Sequence, residues 1–463
     1  MKTKELFWFL DGLDRTIWEP FWWVFPLIIV FYFPFLRIWW WFFLPIFLFF
    51  PLKKYYLWWI AWDFQYFESS KWVVLELTPP KEVLAPLTAM EDVFNIVWSV
   101  IDRANWREVW CEGEFAEYPY WCSWEIASIE GNVRFYIRCL AAHVHVVESV
   151  LYSHYPEVEI REVPDYTKNV PQNIPNEQWD MYGEDYVLGR EDALPIKTFS
   201  KFFEPQGERI AQEEKRVDPV VSLLEGMARL KPGEQVWLQY VATPIEIGDT
   251  PVDGEAKALV KKIARRPDNK EMTFFDHISE MFTELMTGVF SPPKEEGEPF
   301  LKHGGENEDE REMVLTPGEK EVLLAVEDKI KKLFWKTHIR GVYVAKRSAW
   351  KKENRLITRA YFTHFNVPTL NYIRFWGETR PKVHFVLRER RRIYRQKRMY
   401  KNALLRLPPK FPVMDGPGTC YYNSEELATM WHFPTKITSI NVPTTVYVEA
   451  KKGGPPANLP MGE

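Results

Sequence analysis

The residues with the clearest chemical potential form one basic run, from Arg388 to Lys401, with the sequence RERRRIYRQKRMYK. Tyr394 and Tyr400 are interleaved with its arginines and lysines. Such groups bind phosphate oxygens, so the run predicts contact with anionic lipid or with nucleic acid. A solvated helix, or one docked on an acidic protein neighbour, is the third interpretation. The candidate lipid- or nucleic-acid-binding residues are Arg388, Arg390, Arg391, Arg392, Arg395, Lys397, Arg398 and Lys401.

Residue patterns typical of catalysis or metal binding are much weaker. His143 and His145 form an HxH pair, and His154 follows, but residues two apart do not share a face of a helix. The stretch has helical periodicity, so neither a metal nor a cofactor is expected. The chain contains no phosphate loop, GxSxG, HExxH or kinase motif. Its acidic residues do not single out an acid–base pair, and we predict that the protein is not an enzyme.

Composition narrows the class of partner and compartment. The 463 residues carry a formal net charge of -5, with a pI of about 6.1, so only a local patch could attract a polyanion. The cysteines lack CxxC spacing and do not resemble a disulfide scaffold. This pattern favours a reducing compartment, which predicts a cytoplasmic location for the water-soluble part. The four cysteines are Cys111, Cys122, Cys139 and Cys420.

The N-terminal region is unusually rich in aromatic and apolar residues. Residues 21–36 and 38–52 are apolar runs interrupted only by Arg37. A membrane-spanning helix needs about 20 such residues. Tryptophan clusters and flanking lysines favour a two-span hairpin that turns near Arg37, with both ends cytoplasmic; a single tilted span is the alternative. Residues 1–66 are therefore predicted to be a transmembrane anchor in the cell (inner) membrane.

The elements that must position the basic run predict an α+β fold. Residues 67–163 read as strand, helix, two strands, helix and strand, the order of a ferredoxin-like (split βαβ) unit. Residues 164–217 contain recurring prolines and many polar residues. We interpret them as an extended connector with little core of its own.

The pattern then restarts in residues 218–387, which predicts a second ferredoxin-like unit closed by a strand at Val383 to Leu387. This unit contains a charged insertion at about 288–313 that is nearly free of apolar residues. Such a stretch cannot offset its ordering entropy, so we expect disorder there. Residues 388–463 are predicted to hold the basic helix and a C-terminal connector.

Several blocks of the chain resemble one family. This is the N-terminal membrane and ferredoxin-like region, a domain of unknown function, that precedes FtsK/HerA/TraG-type motor ATPases of conjugative, type IV secretion-like systems. The similarity extends in blocks from about residue 72 onward, and the last two blocks are the most specific. The blocks are Leu75 to Asp92, Trp124 to Asp165, Leu224 to Gln239, Asn423 to Pro434 and Lys451 to Pro460.

In the longer relatives the last two blocks are followed by the motor. No residue here matches the motor's motifs, so the resemblance does not imply ATPase activity. It implies a non-enzymatic, membrane-anchored platform of a conjugation or type IV secretion-like apparatus that supports a separately encoded motor ATPase. Membrane lipid and that ATPase are the implied partners, with DNA and a homo-oligomer as further candidates. The alternatives are a DNA-contacting module acting through residues 388–401, and a split or truncated form of a longer membrane-bound ATPase.

Overall fold

The computed structural model describes scattered residues between 28 and 52, and then seven longer stretches. These are residues 71–80, 83–100, 121–200, 218–263, 315–384, 387–409 and 418–434, without residues 84 and 249. Val73–Ile101 and Tyr120–Glu463 belong to one compact unit, and Met1–Trp72 and Asp102–Pro119 belong to another.

In the N-terminal unit, the predicted transmembrane segment is not supported. Helix α1, Pro34–Ile38, has five residues, whereas crossing a bilayer requires about 20. Among the described residues, no helix combines the length and the apolar character needed to cross a membrane. The described residues therefore do not support the predicted two-span hairpin with its turn near Arg37. Most of residues 1–66 lie outside the described part.

In the larger unit, the described residues form nine strands rich in β-branched and aromatic residues, which suit a pleated, buried surface. They are β1 Trp72–Thr78, β2 Cys122–Ile129, β3 Asn132–Leu140, β4 Glu159–Val163, β5 Trp179–Leu188, β6 Glu234–Pro244, β7 Phe334–Lys346, β8 Ile373–Phe375 and β9 Cys420–Asn423.

These strands form one continuous sheet in the order β4-β1-β3-β2-β6-β7-β5-β8, with β9 also paired to β7. The first four strands have the order 4-1-3-2, and β2 joins them to the rest through antiparallel pairing with β6, from Cys122↔Ala242 to Ile129↔Gln235. The long strand β7 pairs with β6 on one side and with both β5 and β9 on the other. The two halves therefore share a sheet.

Some helices of this unit begin with a side-chain cap. Asp218 caps α4 and Thr316 caps α6, each followed by a proline at the first helical positions, where proline is tolerated. The α-helices are α2 Leu87–Val97, α3 Val144–His154, α4 Pro219–Ala228, α5 Pro251–Ile263, α6 Pro317–Ile330, α7 Ile357–Phe362, α8 Arg388–Leu405 and α9 Ser424–Met430. Short 3-10 helices lie at Trp98–Val100, Ala141–His143, Tyr166–Asn169, Lys352–Leu356 and Thr363–Phe365.

The two faces of the sheet are covered differently. On one face, a large apolar core includes residues of α2, α3, α4, α7 and α9 around Trp124 and Tyr240. On the other face, a smaller core joins Trp237 and Val342 of the sheet to Met399 and Tyr400 of α8. Because α8 packs on this second face, the sheet gives the basic run a rigid support.

The structure corrects two further parts of the predicted two-unit fold. The proposed connector at 164–217 contains β5, which pairs with β7 and is buried along most of its length. The predicted closing strand at Val383 to Leu387 is absent at the described residues Val383 and His384, and β8 at Ile373–Phe375 is the strand that pairs with β5. The predicted disordered insertion at about 288–313 lies outside the described residues.

Candidate anion-binding helix

Helix α8 is held on the sheet by its apolar and amide side chains. Met399 packs against Gly183 of β5, and the ring of Tyr400 stacks on Trp237 at 6.1 Å between centroids. The Gln396 Nε2 donates a hydrogen bond to the carbonyl oxygen of Met181, 2.7 Å away. These residues recur every three or four positions, so they form one face of the helix.

The opposite face of α8 carries a row of positive charge. Arg390, Lys397 and Lys401 are exposed, and Tyr394 lies between them at half-buried depth. The spacing i, i+4, i+7, i+11 places all four on one side of the helix. At 1.5 Å per residue the row is about 16 Å long. We call Arg390, Tyr394, Lys397 and Lys401 the basic stripe.

The remaining arginines of the predicted site divide into two groups. Arg388 and Arg391 are exposed near the start of α8. Three others are half-buried and make contacts within the protein. Arg392 pairs with Glu389 at 2.9 Å, Arg395 Nη1 donates to the Arg380 carbonyl at 3.1 Å, and Arg398 Nη2 donates to the Pro409 carbonyl at 3.2 Å. The structure therefore brings the eight residues onto one helix, but only five of them are exposed.

The distribution of charge along α8 opposes the helix dipole. Arg388, Arg390 and Arg391 lie in the first turn, whose backbone N–H groups already carry partial positive charge, and the last turn has no basic residue. Glu389 is the acidic residue of the first turn. This arrangement is electrostatically unfavourable for the isolated helix and produces a positive potential suited to an anion.

The C-terminal end of α8 is fixed by a buried ionic cluster around Arg406. Arg406 adopts a left-handed backbone conformation with φ 55° and is fully buried. Its Nε and Nη2 donate to the two carboxylate oxygens of Glu125 at 2.9 and 3.1 Å. Its Nη1 donates to Asp165 at 2.6 Å, and its guanidinium lies 5.3 Å from the centre of the Tyr166 ring. One side chain thus joins α8 to β2 and to the segment after β4.

The ionisation of this cluster follows from burial and pairing. Burial by itself would raise the pKa of Asp165, but the charge and hydrogen bonds of Arg406 hold that pKa below its ordinary value. Burial would lower the pKa of Arg406, but Glu125 and Tyr166 hold it well above the ordinary value. The pKa of Tyr166 is raised, first by burial and then by Glu125. The cluster therefore remains an ion pair through the neutral pH range.

Sequence reasoning missed this cluster because Glu125, Asp165 and Arg406 are far apart in the chain. The one available signal was position, since Arg406 follows the helix directly and precedes Pro408. A proline pair ends a helix, and the preceding residues often make the capping contacts. That signal locates a helix end but does not identify partners on other elements.

The histidines noted in the sequence do not form a site with one another in the described part of the chain. His143 lies in a 3-10 helix, and burial lowers its pKa. His145 and His154 belong to α3. No group of three or more histidine, cysteine or acidic side chains among the described residues has an arrangement that could hold a metal ion.

Comparison of the chain with protein-family models and with curated proteins finds no match in either case.

Proposed function

We propose that this chain is a non-enzymatic platform that contacts nucleic acid through the exposed face of α8. The observation that carries the proposal is the basic stripe, which projects from a helix whose opposite face is fixed on the sheet. Phosphates of a nucleic-acid backbone form a row of negative charge, and counterion release favours their contact with a row of lysine and arginine.

The packing of α8 favours nucleic acid over a lipid surface. A helix that binds at a bilayer interface buries its apolar face among the acyl chains. In α8 the apolar residues Met399, Tyr400 and Ala403 are buried on the sheet. The part of α8 left for a partner offers mainly charge, together with the Tyr394 ring and the single exposed apolar side chain of Ile393, and this composition suits nucleic acid better than acyl chains.

The test is binding of the full-length protein to a short labelled duplex DNA, measured by fluorescence anisotropy across a salt series. The variant R390A/K397A/K401A removes the three charges of the basic stripe. We expect binding to weaken and the slope of log K against log salt to fall by up to about 2.7, or roughly 0.9 for each lost phosphate contact.

The matched control is K257E/K261E/K320E, which changes more charge at exposed lysines of α5 and α6. It should keep most of the wild-type affinity and salt slope. Loss of binding in the control alone, or wild-type binding that does not respond to salt, would contradict the proposal. If the protein binds phosphatidylserine vesicles through the basic stripe and does not bind DNA, the ligand of α8 is anionic lipid and not nucleic acid.

A second function is support of a motor ATPase, as the resemblance implies. The observation that favours it is the packing of the block from Asn423 to Pro434. Trp431 packs on Trp124 of β2 at 4.9 Å between ring centroids, and His432 Nε2 lies 3.1 Å from Asp218 Oδ1 at the start of α4. A segment so deeply embedded holds Pro434 in a fixed position on the core, which suits a support for a partner protein.

Affinity purification of the full-length protein from its native source, with identification of co-purified proteins, tests this second function. Recovery of an ATPase with FtsK/HerA-type motifs supports it. Repeated purification after crosslinking without such an ATPase contradicts it, and the nucleic-acid proposal does not depend on that result.

A further inference from the structure

A second cationic cluster lies beside β5, built by residues that do not belong to α8. Arg355 lies in a 3-10 helix, Arg359 belongs to α7, and Arg380 follows β8. All three surround Glu184 and Tyr182, which lie two residues apart on β5 and therefore point to the same face of the sheet.

The carboxylate at the centre of this cluster already has its partners. Glu184 is buried and accepts hydrogen bonds from Arg359 Nε at 3.1 Å and from Tyr182 Oη at 2.9 Å. A further hydrogen bond comes from Arg359 Nη2. Arg380 Nε is 4.0 Å from the same carboxylate, which is beyond hydrogen-bonding distance.

Arg355 and Arg380 are held in place by aromatic rings instead. The Arg355 guanidinium lies 4.8 Å from the centre of the Tyr182 ring, and that of Arg380 lies 4.6 Å from the centre of the Phe375 ring. Contact with a ring uses the flat face of a guanidinium and leaves its in-plane N–H groups available. Neither side chain donates a hydrogen bond to another residue in the described ranges, and Arg355 Nε is buried without an acceptor.

The charges of the cluster do not balance. Arg359 and Arg380 lie beside the Glu184 carboxylate and Arg355 lies over the Tyr182 ring, so these four charged groups carry an excess of two positive charges. The Arg380 side chain is only 16% exposed, so water compensates this excess less than it would on an open surface. Burial followed by Glu184 raises the pKa of Tyr182 to about 12, so Tyr182 stays neutral at pH 7 and adds no negative charge.

We propose that Arg355 and Arg380 form a phosphate-binding site. A phosphate dianion matches the excess charge, and its oxygens can accept two parallel hydrogen bonds from each planar guanidinium. Arg359 is a positioning residue, because it neutralises Glu184 and keeps that carboxylate from repelling the ligand. The site does not require the basic stripe, and its phosphate could come from a free phosphate compound or from a nucleic-acid backbone.

The test is titration of the full-length protein with inorganic phosphate by isothermal titration calorimetry. The variants R355Q and R380Q each remove one guanidinium group while leaving the Glu184–Arg359 pair in place. We expect each to weaken phosphate binding about tenfold or more, since each loses charge-assisted hydrogen bonds. R374Q is the matched control, because Arg374 is an exposed arginine of the same strand as Phe375, and it should bind as the wild type does.

Several results would overturn the inference. They are no phosphate binding by the wild type, unchanged binding in both R355Q and R380Q when thermal melts show that they are folded, or equal loss in R374Q. R390A/K397A/K401A should retain phosphate binding. A negative result for nucleic-acid binding by the basic stripe can therefore be distinguished from a negative result for phosphate binding by Arg355 and Arg380. Displacement of phosphate by a DNA oligonucleotide identifies a nucleic-acid source, whereas displacement by AMP alone identifies a free phosphate compound.

Discussion

At the scale of single residues, Arg406 joins two acidic side chains in one buried ionic cluster. Its guanidinium and the Glu125 side chain are both fully inaccessible to solvent, and the Asp165 side chain is half-buried. Two charges removed from water are tolerated only when geometry and hydrogen bonding are good. The bidentate contact to Glu125 meets that requirement. Arg406 therefore fixes the C-terminal end of α8 on β2.

Arg406→Met should destabilise the protein by roughly 3–5 kcal/mol at pH 7, because it leaves Glu125 and Asp165 buried without a cation. Urea unfolding followed by circular dichroism measures this difference in the free energy of unfolding. Arg161→Met is the control, since Arg161 pairs with Glu159 on the surface, and its effect should stay below about 1 kcal/mol. Equal effects of the two substitutions would rule out the buried pair as the cause.

The stability of the wild type and that of Arg406→Met should respond differently to pH. The pKa of Asp165 is depressed in the folded state, so its stabilising contribution is present above the unfolded pKa and is lost as pH falls through the folded pKa. In Arg406→Met the Asp165 carboxylate lacks the cation that lowers its pKa, so the variant loses less stability on acidification. The difference in unfolding free energy between wild type and variant should therefore shrink below about pH 4, and a constant difference from pH 7 to pH 3 would contradict this account.

Residue chemistry was only partly predictable from sequence. The eight basic residues of α8 were found because they are contiguous in the chain. Which of them face solvent could not be known, because Arg395 and Arg398 are half-buried through carbonyl acceptors on Arg380 and Pro409. The cluster of Arg355 and Arg380 was missed for a similar reason, since β5 and β8 bring together residues that are far apart in the chain.

At the scale of elements, close packing of α7 on the sheet depends on Gly341 in β7. A Cβ at this position would lie 2.7 Å from the Thr358 Oγ1 and 3.0 Å from its Cβ. Thr358 is itself buried and its hydroxyl lies 2.8 Å from the Tyr186 hydroxyl, so it has little freedom to move. The absence of a side chain at residue 341 sets the separation of helix and strand.

Gly341→Ala should lower the free energy of unfolding by about 1–3 kcal/mol, because α7 must shift away from β7. Gly254→Ala provides a contrast of opposite sign. Gly254 lies within α5, where an added Cβ would meet no described atom within 4 Å, so alanine should stabilise the helix by roughly 0.5–1 kcal/mol. Thermal unfolding of both variants measures the difference, and a stabilising Gly341→Ala would refute the packing argument.

Most helices and strands followed from periodicity, but the neighbouring strands β5 and β8 at one end of the sheet did not. The strand expected at Val383 to Leu387 has a mostly apolar composition, yet Ile373–Phe375 occupies the pairing position beside β5. Strand β5 was assigned to a connector because prolines surround it. Local propensity cannot reveal which segment finds a partner, since strands are selected by tertiary pairing.

At the scale of the whole molecule, the continuous sheet makes the two halves of the larger unit interdependent. Residues of β2 and β6 pair along eight positions, and apolar residues of both halves belong to one core. Separate units would share neither a strand ladder nor a core. The sequence indicated two similar runs of elements, but their fusion depends on pairing between β2 and β6, which no local pattern encodes.

Ile126→Ala in β2 should therefore destabilise both halves equally, by about 2–5 kcal/mol. Hydrogen exchange with mass spectrometry across a denaturant series reports the midpoint separately for peptides in β3 and in β7. Both should shift together, whereas Ile247→Ala, at a side chain that is 71% exposed, should shift neither. A wild-type midpoint retained in β7 would show that the halves unfold independently.

The embedded block before Pro434 also has a mechanical consequence. Tension applied to the chain at Pro434 would first meet Phe433, whose ring packs on Tyr155 at 5.3 Å, then His432 beside Asp218, and then Trp431 beside Trp124. The residues that they contact lie in three different parts of the fold: Tyr155 follows α3, Asp218 precedes α4 and Trp124 lies in β2. A pulling force would thus be distributed over several core contacts before it reached β9. Unfolding from this end would require several elements to move together, instead of the detachment of β9 alone.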